Sequence, residues 1–487
     1  MFNLHQGFPM NTTVLETDYL VVGAGATAMA FVDTLLDQSD ARVLMVDRHA
    51  QPGGHWNDAY SFVRLHQPSA FYGVNSRELG SGRKDDSEWG DGLYELASGS
   101  EIVSYFDQLM HHRFLPSGRV QYYPMHNYEG DRTESHCITS LLTGDSHAVQ
   151  VRRKLVDATI VQTAVPSTHP PHYRVEPGVR CIPLNDLPKI GQPYSRYVVV
   201  GGGKTGIDAC LWLLHNGVEP GRIQWIVPNA AWLLNRANFQ PGQENVVRTI
   251  GSLANQFEAI GAADSIPDLF LRLESAGELL RIDQTVEPTA FRAATISQSE
   301  LRALRRINDV VRLGRVCAIA ASRISLERGS IAGDPDALYI DCSASAVPII
   351  PEGSVKVFDG NRINLITVSS YQILFSAALI AYVESHVDDQ IQMNHLCGFV
   401  PPPRSPVDWV KMWAAYLGNQ RQWKHHAGLS NWLAQCHLHL LPTVLMSLQE
   451  GDPEKLAVLN RFTEARKKAL DNMPRLMQAV AGSAPES

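Results

Sequence analysis

The sequence predicts an α/β protein built from two Rossmann-like dinucleotide-binding units, with a helical insertion and a helical C-terminal cap. Three observations lead to this prediction. An apolar strand runs into a glycine-rich turn and a helix at residues 19–36, and the same pattern returns at 197–215. Apolar residues recur at helical spacing in parts of 240–313 and 401–480. With 487 residues, the chain has room for roughly two to four domains.

The first unit carries the motif GAGATA at 23–28, directly after the apolar residues 19–22. Gly23 supplies a tight turn, and Gly25 lets the backbone approach a pyrophosphate at the helix N-terminus. Ala28 is small enough for the helix to pack closely on the strand. A second strand, at 42–46, ends in Asp47, about 20 residues further along the chain, where a carboxylate binds a ribose hydroxyl. The pattern therefore predicts a dinucleotide site; a glycine-rich turn of another α/β fold is the alternative.

Composition and charge limit the class of protein. The hydrophobic fraction is 44% and the charged fraction 19%, which is typical of a soluble globular protein. A net charge of −8 argues against nucleic acid or an anionic membrane as the main partner. No apolar run is long enough to span a bilayer, and no signal peptide is evident. Seven scattered cysteines without a CxxC pair favour a reducing compartment, so we expect a cytoplasmic protein.

The segment PGGHW follows at 52–56. Glycines at this point of a nucleotide-binding sheet let the backbone pass close to a cofactor. We therefore add four neighbouring residues to the cofactor-binding set: Arg48, Gly54, His55 and Trp56.

The second unit carries GGGKTG at 201–206 between strands at 197–200 and 223–227. Its cofactor-binding candidates are Gly201, Gly203, Lys204, Thr205 and Gly206. The Gly-Lys-Thr run also suggests a P-loop, but the spacing of that motif is absent.

The end of the next strand bears on the choice of nicotinamide cofactor. Asn229 stands where an acid would favour a free ribose hydroxyl, and Arg236 follows nearby. This combination favours NADPH over NADH, because an arginine can bind the extra phosphate; Arg236 as a solvated surface charge is the alternative.

The sequence predicts that the chain is divided into four segments. We expect the first part of one nucleotide domain at 14–165 and a second at 172–335, with a helical insertion at about 240–313. The first domain resumes at 336–400, where Ser345 and Ala346 follow a strand that ends in small residues. Residues 401–487 form a helical cap. A zinc site in the cap is not favoured, because His437 and His439 alternate and no cysteine pair accompanies them, so we expect no metal.

These motifs resemble those of the flavin-containing monooxygenases and their Baeyer–Villiger relatives, over roughly residues 18–400. The matches are GAGATA at 23–28, Asp47, PGGHW at 52–56, GGGKTG at 201–206 and DCSASA at 341–346. The resemblance implies a glutathione-reductase-like fold with FAD in the first unit and NADPH in the second. Reductases of that type carry a redox cysteine pair, which this chain lacks. The family fingerprint FxGxxxHxxx(Y/F/W) is absent before the second unit, so N-oxygenation, S-oxygenation and Baeyer–Villiger chemistry all stay open, as do the substrate and any homo-oligomer.

The resemblance also implies a reaction. NADPH reduces FAD, and the reduced flavin and oxygen form a C4a-(hydro)peroxide that transfers one oxygen atom to a small organic substrate. The catalytic candidates follow the PGGHW segment: Gln67 or Arg64 would hydrogen-bond the adduct, and His66, with an imidazole that titrates near neutral pH, would move a proton. Two other functions stay open: an NAD(P)H-dependent flavin oxidoreductase with another electron acceptor, and a non-catalytic flavin-binding protein.

Overall fold

The structure, a computed structural model, describes residues 14–130, 135–161, 165–343, 350–351, 353–439 and 452–482. Its helices are α1 (Ala26–Gln38), α2 (Gly99–Leu109), α3 (Lys204–His215), α4 (Val246–Ala262), α5 (Ile266–Ser275), α6 (Gln298–Leu304), α7 (Ile373–His386), α8 (Gln390–Leu396), α9 (Pro406–Lys424), α10 (Ala427–Gln435) and α11 (Pro453–Gly482).

Its strands are β1 (Val14–Val22), β2 (Val43–Val46), β3 (Gly73–Val74), β4 (Arg77–Glu78), β5 (Val120–Tyr123), β6 (His126–Gly130), β7 (His136–Ser140), β8 (Ser146–Asp157), β9 (Arg174–Val175), β10 (Cys181–Pro183), β11 (Tyr197–Val200), β12 (Ile223–Ile226), β13 (Ala231–Asn235), β14 (Leu279–Leu280), β15 (Ala290–Ile296), β16 (Asp309–Val311), β17 (Val316–Ala320), β18 (Arg323–Leu326), β19 (Gly329–Ala332), β20 (Leu338–Asp341), β21 (Phe358–Asp359) and β22 (Arg362–Asn364).

The first large sheet has the strand order β21-β22-β8-β1-β2-β5, and β7 and β6 extend it from β8. Strand β1 pairs in parallel with both β2 and β8. Helix α1 connects β1 to β2 and is buried from Ala28 to Leu36, as expected for a crossover helix that covers a parallel sheet. Strands β21 and β22 come from residues 358–364, so the chain returns to this sheet after it has built the second one.

The second large sheet has the order β10-β20-β11-β12-β16, and all of its paired strands are parallel. Helix α3 connects β11 to β12, which repeats the arrangement of the first sheet. Four consecutive apolar residues, 197–200, form β11 and are all buried, because both faces of the sheet are covered. The predicted fold class, α/β with two Rossmann-like units, is therefore confirmed.

The stretch 240–313 is only partly helical. Helices α4, α5 and α6 lie within it, but Ala290–Ile296 is strand β15, which pairs in parallel with β13. Residues Asp309–Val311, expected to be helical, form β16 at the edge of the second sheet. The helical expectation was wrong at these two places because strand pairing is decided by partners distant in sequence, such as β13 and β12.

Helices α9 and α10 and the long helix α11 confirm the helical character of the C-terminal region. Helix α11 packs along α4, where a Cβ on Gly261 would lie only 2.9 Å from the Cβ of Lys468. The cap and the insertion are therefore joined at a close helix–helix contact. No helix of the described residues is both long and apolar enough to cross a membrane.

Candidate functional site

The first glycine turn lies between β1 and α1. Gly23 has φ +100°, a conformation that favours glycine, and Gly25 precedes the first turn of α1. The turn faces the PGGHW segment so closely that a Cβ on Gly54 would lie 2.9 Å from the Cα of Gly25. Ala28 is fully buried beneath the turn, away from the cavity. The free N–H groups at the start of α1 are thus left facing a groove between two glycine-rich backbones, which fits a pyrophosphate.

Asp47 lies at the end of β2, beside this turn. Its Oδ2 accepts a hydrogen bond from the backbone N–H of Ala24 at 2.5 Å. Its Oδ1 lies 2.9 Å from Nδ1 of His49, whose Nε2 lies 2.9 Å from Oδ2 of Asp58. The hydrogen bond to Asp47 is the main cause that raises the pKa of His49 to about 9. The protonated imidazole of His49 therefore joins the carboxylates of Asp47 and Asp58 at this edge. The sequence analysis did not identify His49 as a site residue.

The rest of the PGGHW segment is fixed by ring contacts. Trp56 donates its indole N–H to the hydroxyl of Tyr72 at 2.7 Å, and its ring lies 4.9 Å from that of His55. Burial lowers the pKa of His55 to about 4, so its imidazole is neutral at physiological pH. Arg48 lies at the cavity but is exposed.

The second glycine turn lies between β11 and α3. Gly201 has φ +134°, and a Cβ there would lie 2.5 Å from the carbonyl oxygen of Cys342. A Cβ on Gly206 would overlap the carbonyl oxygen of Gly201, so Gly206 serves close packing and does not line the cavity. Gly203 and Thr205 line it. This division of roles among the three glycines is what a dinucleotide turn requires.

Lys204 lies at the start of α3, where its ammonium pairs with Asp208 one turn later. The other carboxylate oxygen of Asp208 accepts a hydrogen bond from the hydroxyl of Tyr60 at 2.5 Å. All three residues line the cavity. The hydrogen bond between Tyr60 and Asp208 therefore connects the segment after PGGHW to the helix that follows the second glycine turn.

Arg236 lines the cavity, but its guanidinium is held by other parts of the chain. It is only 2% exposed, its Nη2 lies 3.4 Å from Oε2 of Glu300, and the same nitrogen donates to the carbonyl oxygen of Trp89 at 3.3 Å. Arg236 is therefore an internal ion-pair partner at the cavity wall, which excludes the solvated alternative. Asn229 does line the cavity beside the second turn.

A different arginine lies beside the second glycine turn. Nη1 of Arg292, on β15, lies 3.7 Å from the position of a Cβ on Gly203. Arg315 and Arg404 also line this part of the cavity. Desolvation, followed by these two positive charges, lowers the pKa of Arg292. Among the described residues, no carboxylate lies within ion-pair distance of the three guanidinium groups, so the cluster is suited to an anion.

The three catalytic candidates lie in different environments. His66 and Gln67 line the cavity, and the side chain of Gln67 has no hydrogen bond within the described chain. Arg64 is exposed at the rim, where its Nη1 donates to the carbonyl oxygen of Leu96 at 3.3 Å. Among the three, Gln67 has the freest polar group facing the cavity.

The expected titration of His66 near neutral pH is not what the structure gives. Burial, and then the charges of Lys204 and Arg236, lower the pKa of His66 to about 3. Its Nδ1 lies 3.3 Å from the backbone N of Thr295 and 3.2 Å from Oγ1 of the same residue, whose hydroxyl donates to the carbonyl oxygen of His66. The ring is therefore neutral and held by Thr295, so His66 is not an acid or base at neutral pH.

Both glycine turns, Asp47 and the His66–Gln67 segment open into one cavity of about 1520 Å³. This exceeds the usual range for a single small ligand, roughly 300–1,000 Å³. Ser345 and Ala346 lie outside the described residues. In the part of the chain that the structure describes, no group of three or more His, Cys, Asp or Glu residues could hold a metal ion.

Comparison with known proteins gives both relatives and structural neighbours. The chain is 47% identical over 472 residues to uncharacterized proteins of Mycobacterium tuberculosis and Mycobacterium bovis, covering 96% of this chain and 86% of theirs. Among solved structures, a flavin-containing monooxygenase from Stenotrophomonas maltophilia aligns with a TM-score of 0.44 and 14% identity, over 76% of this chain and 97% of that one. A closed cyclohexanone monooxygenase aligns with a TM-score of 0.45 and 10% identity, over 94% and 99%. No protein-family model matches the sequence.

Proposed function

The chain belongs to the same family as these mycobacterial proteins, and we propose that it is an FAD-dependent, NADPH-using monooxygenase that acts on a small organic substrate. One observation carries the proposal: two glycine turns at helix N-termini, each at the end of a parallel strand, open into the same cavity. One nucleotide site would suffice for a simple binding protein. Two that open into one cavity would allow one cofactor to reduce the other.

The first unit fits FAD. A Cβ on Gly54 would lie 2.9 Å from Cα of Gly25, so two glycine backbones meet at this groove, which suits a pyrophosphate that contacts the N–H groups of α1. Asp47 lies beside it, where a carboxylate would bind the ribose. We therefore assign residues 14–165 and 336–400 to the FAD domain, and 172–335 to the NADPH domain with the insertion 240–313.

The second unit fits NADPH, with the phosphate contact supplied by Arg292 in place of Arg236. Arg292 lies next to Gly203, and the backbone N–H of Phe291 donates to the carbonyl oxygen of Arg404 at 3.0 Å, which brings a second arginine alongside. An extra phosphate would relieve the mutual repulsion of these cations.

When bound, FAD and NADPH supply the hydride transfer and the activation of oxygen. The chain's own part is to orient and to exclude water. The neutral imidazole of His66 and the amide of Gln67 offer uncharged hydrogen-bonding groups at the cavity wall. Lys204, fixed by Asp208, supplies positive charge close to them. Donors of this kind favour negative charge that develops during a reaction.

Isotopically labelled oxygen tests the proposal directly. Purified protein with FAD, NADPH and a candidate substrate panel should consume oxygen and place one labelled atom in the product. NADPH oxidation with another acceptor and no labelled product would favour the plain oxidoreductase. A yellow protein that NADPH does not bleach would favour a non-catalytic flavin-binding protein.

A pair of variants tests the NADPH assignment. Arg292→Ala should raise the Kd for NADPH about 10- to 100-fold, since one charged hydrogen bond is lost, and should leave NADH unchanged. Arg323→Ala removes an exposed arginine that does not line the cavity, and should change neither. Equal NADPH binding by Arg292→Ala and Arg323→Ala would show that the phosphate lies elsewhere.

A further inference from the structure

Three helices form one part of the cavity wall. Its apolar lining comes from Leu253 and Phe257 of α4, Met412 and Trp413 of α9, and Phe462 of α11. The ring of Phe257 lies 5.2 Å from that of Trp413 and 5.6 Å from that of Phe462. We call this the helical chamber. Its walls suit an apolar ligand body.

Gln420 places a hydrogen-bond donor in the helical chamber. Its Oε1 accepts a hydrogen bond from Nη2 of Arg466 on α11 at 3.2 Å. A guanidinium can only donate, so the oxygen of this amide must face Arg466 and the NH₂ group must face the other way. Tyr416 lies one turn earlier on α9 and also lines the cavity. Burial raises the pKa of Tyr416, so its hydroxyl stays protonated.

Gln256 on α4 has the opposite orientation. Its Nε2 lies 3.4 Å from Oγ of Ser252 and 3.5 Å from Oε2 of Glu278. The carboxylate of Glu278 also accepts from Ser252, Asn255 and Asn238, so it acts only as an acceptor. The NH₂ group of Gln256 must therefore face Glu278, which turns its Oε1 towards the cavity that Gln256 lines.

The charges around the helical chamber balance. Arg466 lies behind the donor wall and Glu278 behind the acceptor wall, one positive and one negative. Among the described residues that line the cavity, the acids are Asp47, Asp58, Asp208 and Glu327, none of which belongs to the three helices of the chamber. The lysine and arginines among these lining residues, which are Arg48, Arg64, Lys204, Arg236, Arg292, Arg315 and Arg404, also lie outside the three helices. A charged ligand group would therefore find no partner of opposite sign on the chamber wall, and its burial would be costly.

We propose that the substrate is an uncharged, largely apolar molecule with a polar group that donates to Gln256 and accepts from Gln420 and Tyr416, as a carboxamide does. This inference rests on the proposed function, since it places the substrate in the cavity that the two nucleotides share. The oxidised atom lies elsewhere in the molecule, on the side of Gln67.

A probe series tests the polarity of the chamber. Calorimetric titration of the FAD-loaded protein with octanamide, octanoate and octylamine keeps the apolar body constant and changes only the polar group. Octanamide should bind at least about 10-fold more tightly than either ion, because each ion would be buried unpaired. Equal or tighter binding of octanoate or octylamine, or no binding of octanamide, would overturn the inference.

Two variants locate the contacts. Gln420→Glu replaces the donor with a carboxylate that still pairs with Arg466; it should weaken octanamide about 10-fold and tighten octylamine. The control is Gln422→Glu, the same change at an exposed position of α9, which should alter neither.

In the parent protein, the N,N-dimethyl derivative of octanamide should bind about 10-fold more weakly than octanamide, and in Gln256→Met this difference should vanish. If the difference persists in Gln256→Met, or Gln422→Glu matches Gln420→Glu, the assignment of the walls is wrong.

Measuring FAD content and NADPH oxidation in the same preparations distinguishes a failure of the proposed function from a failure of the chamber assignment. Protein without flavin would contradict the proposed function. Yellow, NADPH-oxidising protein that does not prefer octanamide would contradict only the chamber assignment. Should Gln256→Met fail to fold, the probe series and the Gln420→Glu pair still decide the outcome.

Discussion

Gly25→Ala should separate cofactor binding from folding. The structure accommodates the added methyl group: the nearest atoms to a Cβ at this position are Cα of Gly54 at 3.6 Å and its N at 3.9 Å, both ordinary contacts. The φ of Gly25 is −74°, which any residue adopts. The methyl group would instead lie in the groove assigned to the pyrophosphate.

The expected magnitudes differ for folding and binding. Alanine is a poorer residue than glycine before a helix, by about 0.5–1.5 kcal/mol, while loss of glycine's flexibility in the unfolded chain returns about 0.4–1 kcal/mol. The free energy of unfolding should therefore change by no more than about 1 kcal/mol. A phosphate pushed away from one backbone N–H loses about 1.5–3 kcal/mol, so the Kd for FAD should rise about 10- to 100-fold.

The assay combines urea denaturation of flavin-free protein with a fluorescence titration of FAD. Gly54→Ala is the contrasting variant, because its φ is +57° and its Cβ would lie 2.9 Å from Cα of Gly25. That change should lower the free energy of unfolding by at least about 1–2 kcal/mol as well as weaken FAD. A folded Gly25→Ala protein with unchanged FAD affinity would refute the reasoning, since the pyrophosphate could not then lie against this turn.

Three further predictions concern single side chains. The pKa of His49 is about 9 in the folded protein against 6.5 when unfolded, so the stabilisation that its charged ring gives the fold is complete below pH 6.5 and is lost as the pH rises through 9. Urea denaturation of His49→Gln should therefore show a smaller decrease in the free energy of unfolding over that pH range than the parent protein. Arg236→Met leaves Glu300 without its partner and should lower the free energy of unfolding by about 3 kcal/mol, with the NADPH to NADH ratio of Kd values unchanged. Gln67→Ala should keep FAD and the rate of NADPH oxidation, but release more hydrogen peroxide per NADPH; an unchanged peroxide yield would remove Gln67 from the reacting site.

Local sequence patterns were sufficient for the parts of this molecule that are local in space. The turn at Gly23 and the strand that ends in Asp47 are determined by residues within one strand–turn–helix–strand segment, so glycine spacing and an apolar run identify them. The same holds for α3 and the second turn. Strand Leu338–Asp341, buried throughout, could likewise be identified from its apolar residues.

The remaining site features depend on pairs distant in sequence. Arg292 reaches the second turn only because β15 pairs with β13, and nothing local in Ala290–Ile296 signals that pairing. The acid–base character of His66 depends on burial and on Lys204 and Arg236, more than a hundred residues away, which no sequence window contains. The spacing of Asp47 and His49 was a local signal that could have been used, but its second partner, Asp58, depends on the path of the intervening loop.

The position of the helical chamber explains why one chain combines an insertion with a C-terminal cap. Helix α4 belongs to the insertion and α11 to the cap, and they pack together at Gly261. Arg461 of α11 forms an ion pair with Glu258 of α4 at 2.6 Å, while Arg466, five residues later on α11, donates to Gln420 of α9. Each wall of the chamber therefore depends on the others for its position. Changes in these helices can alter the ligand that is bound, while the two glycine turns, which belong to separate sheets, keep their geometry.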